Sequence, residues 1–307
     1  MLSALLIESC TKGGSAVEDD RVPVEFMQES VVVTRGVERN GYFLSGDTFG
    51  IMAYYVPHED ELVSHMPSAK PDFMYNTKVS YDGSVWSYSP IMYWPQKDGA
   101  CVNFYAYFPY SPASEENGIT VSSSEHKGYP SLDFELSQSA DIDLLVAEAT
   151  ACTAEDGPVA LGFRHLLSKV QFKFKVSNEG GFSYVVNQIK VKDVPQTGTY
   201  TWPEEDIEFN SSPVVDVVAG GGHGDYLIDT TLPVLIDDFT IYLPPGSFGK
   251  MEVTLNNELP QIIDYSDLIL LPGKILTITM EIGLTDIQYT TAVTDWVNGG
   301  TATGDIS

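Results

Sequence analysis

Ser168-Lys169-Val170-Gln171-Phe172-Lys173-Phe174-Lys175-Val176-Ser177-Asn178 is the stretch on which the fold class turns. Val170, Phe172, Phe174 and Val176 fall on one side of an extended backbone, and Lys169, Gln171, Lys173 and Lys175 on the other. Successive side chains leave a pleated strand in opposite directions, so this period of two marks a strand with one buried face. The lysine side is expected to be wet. Outward from it, Phe49–Val56, Val102–Pro109, Asp143–Ala147, Val185–Val191, Phe239–Leu243, Lys250–Asn256 and Lys274–Ile282 read as further strands, rich in β-branched and aromatic residues. Turn signals punctuate them, as at Tyr81-Asp82-Gly83, Glu179-Gly180-Gly181, Pro244-Pro245-Gly246 and Leu271-Pro272-Gly273. No 12-residue window sustains helical spacing of apolar residues. The expectation is an all-β chain of sandwiches or Greek keys.

At 307 residues the chain is long enough for two domains with real cores. The Asn178-Glu179-Gly180-Gly181 break divides it into an N-terminal sandwich over 22–178 and a C-terminal one over 179–307. Residues 11–21 are small and polar with an acidic cluster and read as a tether. Sixteen Lys+Arg stand against 43 Asp+Glu, a formal charge of −27, although charged residues total only 19%. Scarce cations cause the imbalance. Binding a phosphate backbone needs clustered Lys/Arg to release counterions, so the composition excludes nucleic acid as a partner. It equally excludes electrostatic docking on an anionic leaflet.

Met1–Cys10 reads MLSALLIESC. Its run Leu2–Ile7 is too short to span a bilayer and looks like the end of a signal-peptide apolar region. Leu6-Ile7-Glu8-Ser9-Cys10 looks like a loose bacterial lipoprotein box, which would make Cys10 the lipidation site and residues 1–21 a signal end plus tether. The alternative is a free thiol on an ordinary N-terminus. Cys101 and Cys152 are expected to be unpaired thiols, and no Cys/His spacing suggests a metal site.

Catalytic residues are not found. Of His58, His65, His126, His165 and His223, four fall in polar or Gly-rich segments read as loops. Only His165 enters a strand, where a hydrogen-bonded structural histidine is expected. Asp141 and Asp143 flank Ile142 on one strand face, but a Ca²⁺ cage needs six to eight oxygens and nothing completes it. They are read as a solvated strand start. The loop Ala219–Gly224 lacks the Lys-Ser/Thr and helix of a phosphate cradle and reads as a hairpin tip. No enzyme, cofactor or metal is expected. Aromatics around Trp86, Tyr93 and Trp94 offer one alternative, a sugar-binding platform that would make the chain a surface glycan-binding lipoprotein.

The ordered segments resemble a known family. They are Ser9-Cys10, Ser45-Gly46-Asp47-Thr48-Phe49-Gly50-Ile51-Met52-Ala53-Tyr54-Tyr55, Tyr93-Trp94-Pro95 and Val102-Asn103-Phe104-Tyr105-Ala106-Tyr107-Phe108-Pro109. Asp143-Leu144-Leu145-Val146-Ala147 and Leu161-Gly162-Phe163-Arg164-His165-Leu166-Leu167-Ser168-Lys169-Val170 follow. Leu243-Pro244-Pro245-Gly246, Leu271-Pro272-Gly273-Lys274 and Asp295-Trp296 complete the series. Their order and spacing resemble the fimbrillin (Mfa-like) family of Bacteroidales, subunits of type V pili. The resemblance implies two transthyretin-like Greek-key β-sandwich domains in tandem and a structural or adhesive role in surface fimbriae. It further implies export as a lipoprotein to the outer membrane surface, and then proteolytic removal of the first strand. The groove so opened takes a strand from a neighbouring fimbrial subunit.

Mapped onto this chain, the removable strand is Val22–Val33, followed by Arg35 beside Gly36. Arg35 is the expected trypsin-like cleavage site, with Arg39 the alternative and a plain turn arginine the remaining reading. The donor is expected in Ile287–Val297, where Ile287, Tyr289, Thr291, Val293, Asp295 and Val297 alternate with Gln288, Thr290, Ala292, Thr294 and Trp296. Only the ends of the first face are strongly apolar, so an anchor or tip subunit that does not polymerise is a second possibility. The receptor, host or bacterial, is not identified by any motif.

Overall fold

The computed structural model describes residues 21–28, 43–112, 117–137, 140–177, 181–219 and 224–296. The expectations placed on Cys10, Arg35, Arg39 and His223, and most of the Ala219–Gly224 loop, lie outside the described residues. Within them the chain is all-β, as the strand patterning implied, and forms two sandwiches, as the family resemblance implied.

The first sandwich is built on a six-stranded sheet in the order Arg164–His165, Leu145–Cys152, Cys101–Phe108, Thr48–Val56, Met74–Tyr81, Trp86–Tyr88. Its two longest central strands are apolar on both sides. Phe49, Ile51, Ala53, Val102, Phe104 and Ala106 face one way, into one buried cluster. Met52, Tyr54, Tyr105 and Tyr107 face the other way, into a second. A sheet buried on both faces must be covered twice. On one side lies a two-stranded parallel ribbon, Phe26–Gln28 with Val159–Leu161. On the other lies a four-stranded sheet in the order Glu208–Phe209, Thr197–Thr201, Ser131–Glu135, Ile119–Val121. Trp202 locks this second contact, its Nε1–H donating to Ala147 O at 3.2 Å.

The second sandwich packs Val234–Leu235, Ser168–Val176, Lys274–Ile282 and Ile287–Asp295 against Val214–Ala219, Tyr184–Pro195, Gly246–Leu255 and Gln261–Leu270. Val170, Phe172, Phe174 and Val176 meet Val186, Ile189, Met251 and Val253 in its core. The founding strand therefore buries the face its alternation marked. The lysine face departs from expectation, because Lys169 and Gln171 are only 5% and 7% exposed. Trp296 supplies part of that cover, with Lys169 Nζ lying 5.9 Å from its ring centroid.

Hydrogen bonding crosses the expected boundary at 178/179 in both directions. Ser168–Val176 pairs in parallel with Lys274–Ile282, from Lys169↔Ile275 to Val176↔Ile282. Thr197–Thr201 pairs with Ser131–Glu135 of the first sandwich. A Gly-rich break in a sequence does not say which sheet each side joins. One buried cluster accordingly runs from Met52 to Ile282 through both sandwiches.

Element limits shift as well. The strand expected at Asp143–Ala147 runs Leu145–Cys152, and Phe239 closes a 3-10 turn, Asp237–Phe239, before the strand Ile241–Leu243. His65 lies in the short helix Leu62–His65 rather than a loop, and His58 caps the preceding turn by accepting from Asp60 N–H. A single helical turn is too short for periodicity to reveal.

Cys101 and Cys152 are free thiols on neighbouring strands, with Val102 opposite Cys152. Burial, reinforced by Asp156 and Cys101, pushes the Cys152 thiol up to about 11, and burial raises Cys101 too. The reactive thiolate is thus scarce at neutral pH. A native-state thiol titration at pH 7 to 8 should label these two slowly, with the rate at Cys152 rising markedly only as pH approaches 11. Rapid labelling of both at pH 7 would contradict the packing.

Candidate functional site

The segment Val22–Gln28 is held in a groove on the aromatic face of the six-stranded sheet. Its sequence places Val24 and Phe26 on one side and Glu25 and Met27 on the other. Val24 and Phe26 are 2% and 7% exposed, while Met27 faces solvent. The Phe26 ring meets Phe49, Tyr88 and Phe104 edge-on, with centroids 6.0, 5.4 and 5.7 Å away. Such edge-to-face contacts place ring hydrogens on π-faces and add to the area term. Fully burying a side chain of this size contributes ~1.5–3 kcal/mol.

The backbone is satisfied on both edges in turn. Val24 N–H donates to Met92 O and Trp94 N–H to Val22 O, each at 2.9 Å, and Pro23 bridges Tyr93. Val159 N–H then donates to Glu25 O at 2.7 Å, opening the parallel register Phe26↔Val159, Met27↔Ala160, Gln28↔Leu161. The Tyr88 hydroxyl donates to Val24 O at 2.8 Å. Burial raises its pKa, so it remains a donor throughout the physiological range. Val159–Leu161 has Phe26–Gln28 as its only strand partner among the described residues. The groove is therefore a slot whose filler is a short N-terminal strand.

Of the Val22–Val33 strand expected from sequence, Phe26–Gln28 is the regular part and residues 29–33 lie outside the described ones. The chain re-enters at Phe43, whose ring packs on Trp86, Phe108 and Phe163 at 5.0–5.2 Å. Phe26 and Phe43, which precede and follow Arg35 and Arg39 in the sequence, both belong to one hydrophobic cluster. Sequence reasoning missed Val159–Leu161 and Tyr88. Three apolar residues between Gly157-Pro158 and Gly162 are too few to show a period.

The aromatic platform is corrected. Trp94 is 5% exposed and meets Phe104, and Trp86 packs between Phe49 and Tyr81. Tyr93 is covered by the Arg21 guanidinium, 4.2 Å from its centroid. These rings build the groove and its rim instead of presenting flat faces to solvent. Asp143 is likewise not a solvated strand start, because it accepts from His165 Nδ1–H at 2.7 Å. His165 is buried and hydrogen-bonded as expected. Among the described residues no group of three or more His, Cys, Asp or Glu could hold a metal ion.

The tail is paired within its own molecule. Ile287–Asp295 runs antiparallel to Lys274–Ile282, from Ile287↔Ile282 to Asp295↔Lys274. It forms the edge of its sheet, and all but Ile287 is exposed on both faces.

Three comparisons bear on this architecture. The chain is 31% identical over 152 residues to the fimbrium subunit Fim1C of Phocaeicola vulgatus, covering 45% of this chain and 40% of that protein. It is 26% identical over 185 residues to a Bacteroides ovatus protein provisionally named fimbrium tip subunit Fim1C, covering 54% and 29%. The match thus spans less than half the length of either relative. A fimbrial protein of Bacteroides vulgatus ATCC 8482 shares the fold, with a TM-score of 0.65 at 20% identity over 90% of this chain and 99% of that one. The fimbrillin-like family model matches residues 34–296, and the chain belongs to that family.

Proposed function

We propose that this chain is a structural or adhesive subunit of a cell-surface fimbrium in which the N-terminal strand is a removable filler. One observation carries the reading. Val24 and Phe26 plug an aromatic slot from a strand whose hydrogen-bond partners are two short segments, Met92–Trp94 and Val159–Leu161. In this reading Cys10 carries the lipid that brings the subunit to the outer membrane surface. Cleavage at Arg35, or at Arg39, then removes lipid and strand together. Loss of the strand uncovers Phe49, Tyr88 and Phe104 and the edge of Val159–Leu161, a surface prone to associate. A neighbouring fimbrial subunit supplies the replacement strand. Side-chain plugs decide whether the exchange is favourable, because backbone bonds alone hardly offset the cost of ordering a donor.

A second position in the fimbrium is favoured by one observation. The strand Ile287–Asp295 is paired along its length on one side in its own sheet and has little apolar surface on either face, which suits a tip or anchor subunit that accepts a strand without donating one. Limiting trypsin separates the two. A stalk subunit should be nicked at Arg35 or Arg39, lose the preceding residues and form high-mass species on size exclusion. Monomers that persist after clean loss of the strand would eliminate the stalk role, and resistance of both arginines would sink the filler reading.

A further inference from the structure

We infer that three separate sequence motifs close into an aromatic latch that holds the C-terminal strand on its own sheet. The motifs are Arg164-His165-Leu166-Leu167-Ser168-Lys169, Leu271-Pro272-Gly273-Lys274 and Asp295-Trp296. None has a catalytic or groove role, yet they meet at one end of the second sandwich. Trp296 stacks on His165 with centroids 3.6 Å apart and planes 12° from parallel. Tyr242 lies 5.4 Å from the same indole, nearly parallel at 9°. Lys169 approaches the ring as a cation, and Asp143 holds the His165 imidazole in place.

The backbone completes the latch. Trp296 N–H donates to Gly273 O at 2.9 Å, Gly273 N–H donates to Leu167 O at 3.0 Å, and the Ser168 hydroxyl donates to Leu271 O at 2.7 Å. Lys274 and Asp295 form an ion pair across the last register position. The strand needs such an anchor. Tyr289 and Val293 are 39% and 54% exposed, and residues 288–295 bury little against either face. Tyr289 does reach Tyr265, at 4.3 Å. Its hydroxyl also donates to Asp264 O at 3.3 Å, and the remaining side-chain attachment lies near the two ends, at Ile287, Asp295 and Trp296. An edge strand held by one backbone ladder, with few buried side chains between its ends, opens more readily once the contacts at one end are released.

The latch concerns retention of the strand; its consequence for assembly rests on the filler reading above. Hydrogen exchange on the full chain tests it, comparing Trp296→Ala and Trp296→Phe with the parent protein. Amides of residues 287–295 should exchange about 10-fold faster in Trp296→Ala, the loss expected for stacked aromatic and cation contacts. Trp296→Phe should fall between, and strands Thr48–Val56 and Cys101–Phe108 should stay protected in both. If Trp296→Ala loses protection everywhere, Trp296→Phe decides. Exchange of 287–295 unchanged from the parent would overturn the latch. Trypsin-triggered assembly is read in parallel. Faster exchange without any change in high-mass species leaves the latch standing and counts against a donor role for this strand.

Discussion

Replacing Phe26 by Ala should destabilise the first sandwich by about 3–5 kcal/mol, the range for a large aromatic removed from a packed core. The ring touches Phe49, Tyr88 and Phe104 at once, so three neighbours lose their edge contacts and a cavity is left between them. The surroundings have little room to collapse, because Phe49 and Phe104 sit on central strands hydrogen-bonded on both sides. Urea unfolding followed by near-UV circular dichroism gives the value. A second consequence is local. Val159–Leu161 has no other strand partner among the described residues, so its amides should lose protection together with those of residues 24–28. Met27→Ala is the control, since Met27 points to solvent and should cost less than about 0.5 kcal/mol. A Phe26→Ala protein as stable as the Met27→Ala protein would mean the strand does not plug the groove.

Gly50→Ala should be of similar size for the opposite reason, excess volume. Gly50 lies opposite Tyr107 in the central pair of strands. A Cβ there would stand 2.2 Å from Tyr107 Cε1 and 2.4 Å from Cζ, inside a rigid buried ring. The ring cannot swing away cheaply. Its hydroxyl donates to Asn76 Oδ1 at 2.6 Å and also meets Ser111 O, while Ser111 N–H donates back to it at 3.2 Å. Overpacking typically costs ~1–3 kcal/mol, and unpairing a buried polar group adds ~1–3, giving about 2–6 kcal/mol together. The double variant Gly50→Ala with Tyr107→Leu would relieve the clash and should recover part of the loss. A single variant within 1 kcal/mol of the parent would show that the ring is free to move.

Both sites show how unevenly the sequence discloses this molecule. Strands with a clear period, such as Ser168–Val176 and Lys274–Ile282, were legible because alternation is a local property. Gln261–Leu270 and Val214–Ala219 were not read as strands. The first carries Asp264 and Asp267 among its apolar residues, and the second is interrupted by Asp216 and ends in a Gly-rich loop. The groove was half legible. Val24 and Phe26 could be placed on one face from their spacing, but Val159–Leu161 and Tyr88 reach them from far along the chain. The exposed-aromatic reading of Trp94 failed on the same ground, since type and position do not say which neighbour covers a ring.

Composition and alternation, by themselves, determined that the chain is all-β, acidic by shortage of cations and poor in catalytic groupings. Those properties are sums over residues or periods of two, and they survive without knowledge of contacts. Tertiary structure alone decided that Ser168–Val176 joins the C-terminal sheet and Thr197–Thr201 the first sandwich. It also decided that His165, Gly273 and Trp296 form one cluster. Strand pairing and ring stacking join residues from about 60 to more than 130 positions apart in this chain. The free energy of such contacts lies in surfaces that meet only after the backbone has closed, which no local pattern records.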